Sequence, residues 1–169
     1  FQHTNKVSLS EQIRSYVFSV ERRRRYVEMA TRHLKRVQPH PSENTYDIVL
    51  VGAGIHAAAF QYTLGGLRPD LRVLIVERSD AVCSTFAKLG DALILNSPTF
   101  SKVGLNANVV PGHFVQLNDF DELAERPFPT AKHLYELTTM VLFHAGAEIC
   151  FEFDLCFFIA KIRRKGMHE

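Results

Sequence analysis

Two glycines and one carboxylate carry the clearest chemistry in this chain. Gly52 and Gly54 stand in the run Val51-Gly52-Ala53-Gly54-Ile55-His56-Ala57, and Glu77 follows further along the sequence. The first glycine permits a tight turn, and the second removes a Cβ from the path of an approaching diphosphate. The small Ala57 lets a helix pack closely on a strand. Backbone N–H groups at the start of such a helix, backed by its dipole, hold an anion. A carboxylate about twenty residues beyond the glycine motif accepts hydrogen bonds from ribose hydroxyls and repels a 2′-phosphate. The chemistry is recognition of a dinucleotide. Gly52, Ala53, Gly54, Ile55, His56 and Ala57 are the candidates for the pyrophosphate, and Glu77 for the ribose. FAD and NAD use the same cradle, so these residues leave the two open.

A strand, a helix and a second strand must position that set. Tyr46 to Val51 is short, apolar and β-branched, as a buried strand is. Ile55 to Leu64 reads as a helix, followed by a turn at Gly65-Gly66 and Pro69. Leu71 to Glu77 is a second apolar strand, and Leu93-Ile94-Leu95 a short further one. Thr130 is placed to cap a helix running to Ala145, with Leu134, Leu137, Thr138, Val141 and Ala145 on one face and Gly146 ending it. Glu148 to Phe153 then reads as another strand. This alternation predicts an α/β fold with a partial, Rossmann-like parallel sheet.

The stretch Tyr46 to Leu64, followed by Leu71 to Asp80, resembles the N-terminal FAD-binding fingerprint of flavoproteins with two dinucleotide-binding domains. That group includes flavin-containing and N-hydroxylating monooxygenases and disulfide reductases. Leu64 matches the pattern's apolar helix position, and Gln61 departs from its usual small residue. The resemblance implies FAD as cofactor and places Arg78 near the adenine. Leu93 to Asn106 is similar to the segment passing near the flavin in monooxygenase-like members, which implies that Asn96 and Ser97 line the cofactor. Turn chemistry before Pro98 accounts for the same two residues equally well. The resemblance extends over residues 46 to 153, with specific motifs before Asp80.

A dithiol mechanism needs a partner sulfur near the flavin, and Cys83 stands alone in its region, with Cys150 and Cys156 far along. Cys83 is expected to be a buried thiol rather than a nucleophile. No second GxGxxG follows Gly54, and Gly90-Asp91 comes too early for the family's late Gly-Asp. The chain therefore reads as a fragment or truncated form of a flavin-dependent oxidoreductase, with no catalytic residue assigned. A small-molecule substrate is implied for the complete protein. The other readings are an NAD-binding module and a non-catalytic interaction protein that retains the core. His56 is expected to face away from the cradle, and His113, His133 and His144 show no metal-ligand spacing, so no metal is expected.

Before the fingerprint lies a different kind of segment. Ile13, Val17, Val20, Val27, Ala30, Leu34 and Val37 recur at helical steps across residues 8 to 38, with Ser8 or Ser10 as caps. Arg14, Arg22, Arg23, Arg25, Lys35 and Arg36 mark an opposite, solvated face. A basic amphipathic helix of this kind suits an acidic partner, although Glu11, Glu21 and Glu28 dilute its charge and favour docking on the domain behind. Pro39 to Asn44 reads as a linker. The expected organisation is helix and linker over residues 1–45, the nucleotide-binding domain over 46–160, and a basic tail over 161–169. The formal net charge of +2 gives no global signal for polyanion binding. No apolar run reaches a membrane span. Three cysteines without a CxxC pair suit a reducing, cytoplasmic setting.

Overall fold

The computed structural model describes residues 19–38, 46–96, 115–126 and 128–154. Helix α1, Val20–His33, starts at Ser19, whose side-chain oxygen accepts the Arg22 N–H at 3.4 Å. Ser8 and Ser10, expected as caps, lie outside the described residues. The helix does not run to residue 38. It ends at His33, and Lys35–Arg36 forms strand β1, parallel to Glu148 and Ile149. The Val37 N–H reaches the Ile149 carbonyl at 3.0 Å, and Lys35 pairs with Glu148. Backbone pairing to a distant strand overrides the local helical periodicity here.

The remaining elements alternate as expected. Strand β2, Ile48–Val51, leads into helix α2, Ile55–Leu67, and then into strand β3, Val73–Val76. Gly65 and Gly66 are not a turn: they lie inside α2, which closes at Arg68 through its N–H to the Leu64 carbonyl at 2.6 Å. Two glycines weaken a helix by about 1 kcal/mol each without ending it. Two short helices follow, α3 at Ser84–Leu89 and α4 at Asp121–Glu125. Helix α5, Ala131–His144, starts at Thr130 and closes through Gly146 at φ +60°. Strand β4 is Glu148–Cys150. Leu93-Ile94-Leu95 makes an antiparallel bridge to Thr130 rather than a strand.

All four described strands are parallel, in the order β1-β4-β3-β2. This is a partial Rossmann-like α/β sheet. Every residue of β3 is buried, which is why that strand reads as an unbroken apolar run. Val27 of α1, Ala57 and Ala58 of α2, and Leu137 and Val141 of α5 share one core with Ile75 and Ile149 of the sheet. The helices thus cover one face. The other carries a smaller cluster of Leu74, Val76 and Cys150, with Val37, Tyr46 and Phe153 against it.

Helix α1 is fastened by a residue expected on its solvated face. Arg23 is 1% exposed. Its Nε donates to Glu136 Oε2 of α5 at 2.7 Å, a second nitrogen pairs with Glu122 of α4, and its guanidinium lies 3.8 Å from the Phe120 ring centroid. His133 Nε2 completes the cluster 3.0 Å from Glu122 Oε1. Arg24 and Arg25 stay exposed and pair with Glu21 on the helix surface.

Burial pushes the Glu122 carboxyl up, but hydrogen bonds from His133, its own backbone and Arg23 outweigh it and leave the pKa at about 2. A carboxylate held lower in the folded state stabilises the fold above its unfolded value and loses that contribution as pH falls. The unfolding midpoint is therefore expected to drop as pH falls from 4.5 toward 2. A Glu122→Gln variant, followed by circular dichroism over the same interval, should show a shallower slope. An identical slope would dismiss this origin.

Candidate functional site

The glycine run sits where β2 ends and α2 begins, at the C-terminal end of the parallel strands, the position at which open α/β sheets bind ligands. Gly52 has φ +94°, a left-handed conformation that other L-residues adopt only with strain. Three contacts pin the turn. Gly52 N–H donates to the Val76 carbonyl at 2.7 Å, Ala53 N–H donates to Glu77 Oε2 at 2.8 Å, and Cys83 N–H donates to the Ala53 carbonyl at 2.9 Å. Ala53 and Ala57 are buried, so the turn packs directly on the core.

Gly54 caps α2 without a side-chain oxygen. The first N–H groups of a helix have no intrahelical acceptor, so the cap leaves His56 and Ala57 N–H for an outside anion. A Cβ built at Gly52 or Gly54 would meet no protein atom within 4 Å. The space that both glycines keep open is solvent-facing groove, as an approaching diphosphate requires. His56, expected to turn away, is exposed and lines two grooves beside the glycines.

Three shallow grooves of about 410, 370 and 590 Å³ meet at Gly52. The second and third share Glu77 and Arg78. Glu77 is already oriented: Oε2 takes the Ala53 N–H, and Oε1 takes the Ser79 N–H at 2.9 Å. A carboxylate offers about four acceptor positions, so each oxygen keeps one for a ribose hydroxyl. The structure thus brings Gly52, Gly54, Ile55, His56, Ala57, Glu77 and Arg78 around one groove system, while Ala53 is buried behind it with its N–H held by Glu77. Asn96 is exposed beyond the Ile94–Thr130 bridge and is not in the lining of these three grooves. Ser97 lies outside the described residues.

Ser79, Cys83, Ser84 and Thr85 line the second groove without having been singled out for it. Their signal was position: they follow Glu77 and fold back over the turn. Cys83 adopts φ 48° and is buried. Burial pushes its thiol up, and contacts with the Thr138 hydroxyl and the Ile55 N–H only partly offset this. A protonated thiol is a packing group rather than a nucleophile. Among the described residues no group of three His, Cys, Asp or Glu side chains could hold a metal ion. Among them, too, no helix is long and apolar enough to cross a membrane.

No protein-family model matches the chain. Short stretches are similar to probable malate:quinone oxidoreductases. The protein of Prochlorococcus marinus strain NATL1A is 57% identical over 37 residues, covering 22% of this chain and 8% of that protein. Strain NATL2A gives the same figures. The protein of Kocuria rhizophila is 51% identical over 43 residues, covering 25% of this chain and 8% of its own length. The chain therefore matches these oxidoreductases over about a quarter of its own length and 8% of theirs, on a parallel α/β fold.

Proposed function

We propose that this chain supplies the FAD-binding part of a flavin-dependent oxidoreductase. Gly52 to Ala57 hold the pyrophosphate, Glu77 holds the adenosine ribose, and Arg78 borders the adenine. The observation that carries the proposal is the Glu77 carboxylate, fixed by backbone N–H groups on two loops with an acceptor position left on each oxygen.

The relatives' names couple malate to a quinone. Such a transfer needs a resident two-electron carrier, since amides and carboxylates do not take up electrons. Bound FAD supplies that chemistry, and the residues named here bind and orient it. The substrate on this reading is a 2-hydroxy acid such as malate, and the acceptor is a quinone. A monooxygenase-like variant, with oxygen as acceptor, rests on the similarity of Leu93 to Asn106. The quinone in the relatives' names favours the first variant.

The two glycines separate binding from folding. Gly54→Val is expected to weaken FAD binding by more than about a hundredfold, because the side chain fills the diphosphate path. The same variant should cost only about 1 kcal/mol in stability as a poorer cap, since Gly54 has φ −92° and a clear surround. Gly52→Ala should instead cost about 1–2 kcal/mol through its left-handed backbone. Fluorescence titration of flavin reads the first effect and thermal denaturation the second. Tighter binding of NAD than FAD by the wild-type chain would move the site to the nicotinamide reading, and binding of neither would end both.

A further inference from the structure

A backbone cradle alone does not match the charge of the ligand proposed for it. The diphosphate of a dinucleotide is a diester and stays doubly negative on both sides of neutrality. The start of α2 answers with about half a positive charge. Around it, the grooves are lined by three carboxylates, Glu77, Glu152 and Asp154, and by one guanidinium, Arg78. Arg78 directly follows Glu77 and shares both of its grooves, so it lies on the ribose side of the glycines. The Cys83 thiol, pushed up by burial, adds no charge.

One basic side chain stands at the glycines themselves. His56 lines the first and the second groove, and the first holds no other ionisable group. It is the second residue of α2. Helical side chains lean toward the N-terminus, so the ring leans back toward the N–H groups that receive the anion. His56 is exposed, and among the described residues its ring nitrogens have no hydrogen-bond partner. We propose that the His56 imidazole binds the diphosphate directly, taking up a proton as the dinucleotide arrives and donating a charged hydrogen bond to it. The role rests on FAD occupying this site. Its sign follows from charge. In the free protein the positive end of α2 opposes a cation on the ring, and a bound diphosphate reverses that balance. Affinity is therefore gained as pH falls and lost as it rises. Imidazoles change charge between about pH 5 and 8. Carboxylates ordinarily titrate below that interval and guanidinium above it, so Glu77 and Arg78, which line the second groove with the ring, do not imitate the effect.

Calorimetric titration of the full chain with FAD, at about pH 5.5 and about pH 8, brackets the change. Wild type is expected to bind about tenfold more tightly at the lower pH, the scale of a charge-assisted hydrogen bond. Repeating the titration near neutrality in phosphate and in Tris, whose heats of ionisation differ, should reveal net proton uptake on binding. His56→Gln should show the weaker affinity at both pH values and take up no proton. His56→Lys, whose ammonium ordinarily keeps its charge across the interval, should show the tighter affinity at both. Residue 56 is exposed, so both variants should fold as wild type does. An equal pH dependence in wild type and His56→Gln would overturn the role of the ring and leave FAD binding standing. Absence of FAD binding at either pH would overturn both.

Discussion

Glu77→Gln is expected to weaken FAD and ADP binding by about ten- to a hundredfold and, without ligand, to lower the unfolding midpoint. The first effect follows from charge. Hydrogen bonds to an ionised group are worth about 1.5–3 kcal/mol, and each 1.4 kcal/mol is a factor of about ten in affinity. The second follows from the number of acceptors. Glu77 serves two backbone donors with two different oxygens, Ala53 N–H on Oε2 and Ser79 N–H on Oε1. A glutamine keeps one oxygen and turns an NH₂ toward the other donor, so one of these N–H groups faces a donor. Glu77→Asp keeps the charge but shortens the reach by one methylene, and should hold one loop while releasing the other. Calorimetric titration with ADP isolates the ribose and pyrophosphate contacts from those of the flavin. Unchanged ADP affinity in Glu77→Gln would remove the ribose from this carboxylate, whatever the thermal scan shows.

The largest stability loss is expected at Arg23. Removing one member of a buried ion pair leaves the other charge without compensation and costs about 3–5 kcal/mol. In Arg23→Ala that stranded charge is Glu136, 4% exposed on α5. The truncation also opens space against the Phe120 ring. Since whole domains are stable by only about 5–15 kcal/mol, urea denaturation should show a large fall in midpoint. The double variant Arg23→Met, Glu136→Leu should recover most of the loss, because well-packed apolar side chains often replace a buried pair at no net cost. A loss below about 1 kcal/mol in Arg23→Ala would show that the pair is solvated in solution, as surface pairs are.

The glycine loop was legible because its logic is local. Strand β2, Gly52, Gly54, helix α2, strand β3 and Glu77 fall within one βαβ unit, and short-range patterns of period two and 3.6 decide each element. Thr130 and Gly146 framed α5 for the same reason, since caps act within a turn of their helix. Strand β1 was not legible. Leu34-Lys35-Arg36-Val37 continues the helical spacing of α1, and only Glu148 and Ile149 make it a strand. The burial of Arg23 had a readable signal that charge obscured. Arg23 stands four residues before Val27, on the buried stripe that continues through Ala30 and Leu34. Its carboxylate partner Glu136 sits beside Leu137 in the same way on α5. Glu77 was expected to act on ribose alone, and its bonds to Ala53 and Ser79 became visible only once the loops folded together.

The fastening of α1 also sets an order of events. Arg23 meets Glu136, and Lys35 meets Glu148, each across 113 positions of sequence. Contacts of such separation raise the contact order and slow folding, since loop closure must come before the contacts that reward it. At about 5–20 residues per second of synthesis, roughly 6–23 s pass between the appearance of Arg23 and that of Glu136. For most of that interval α1 has neither Glu122 nor Glu136 to meet its inward arginine, and no strand to receive Lys35 and Arg36. The first of the described helices is thus among the last to settle, and the βαβ unit that bears the glycine loop can close before it.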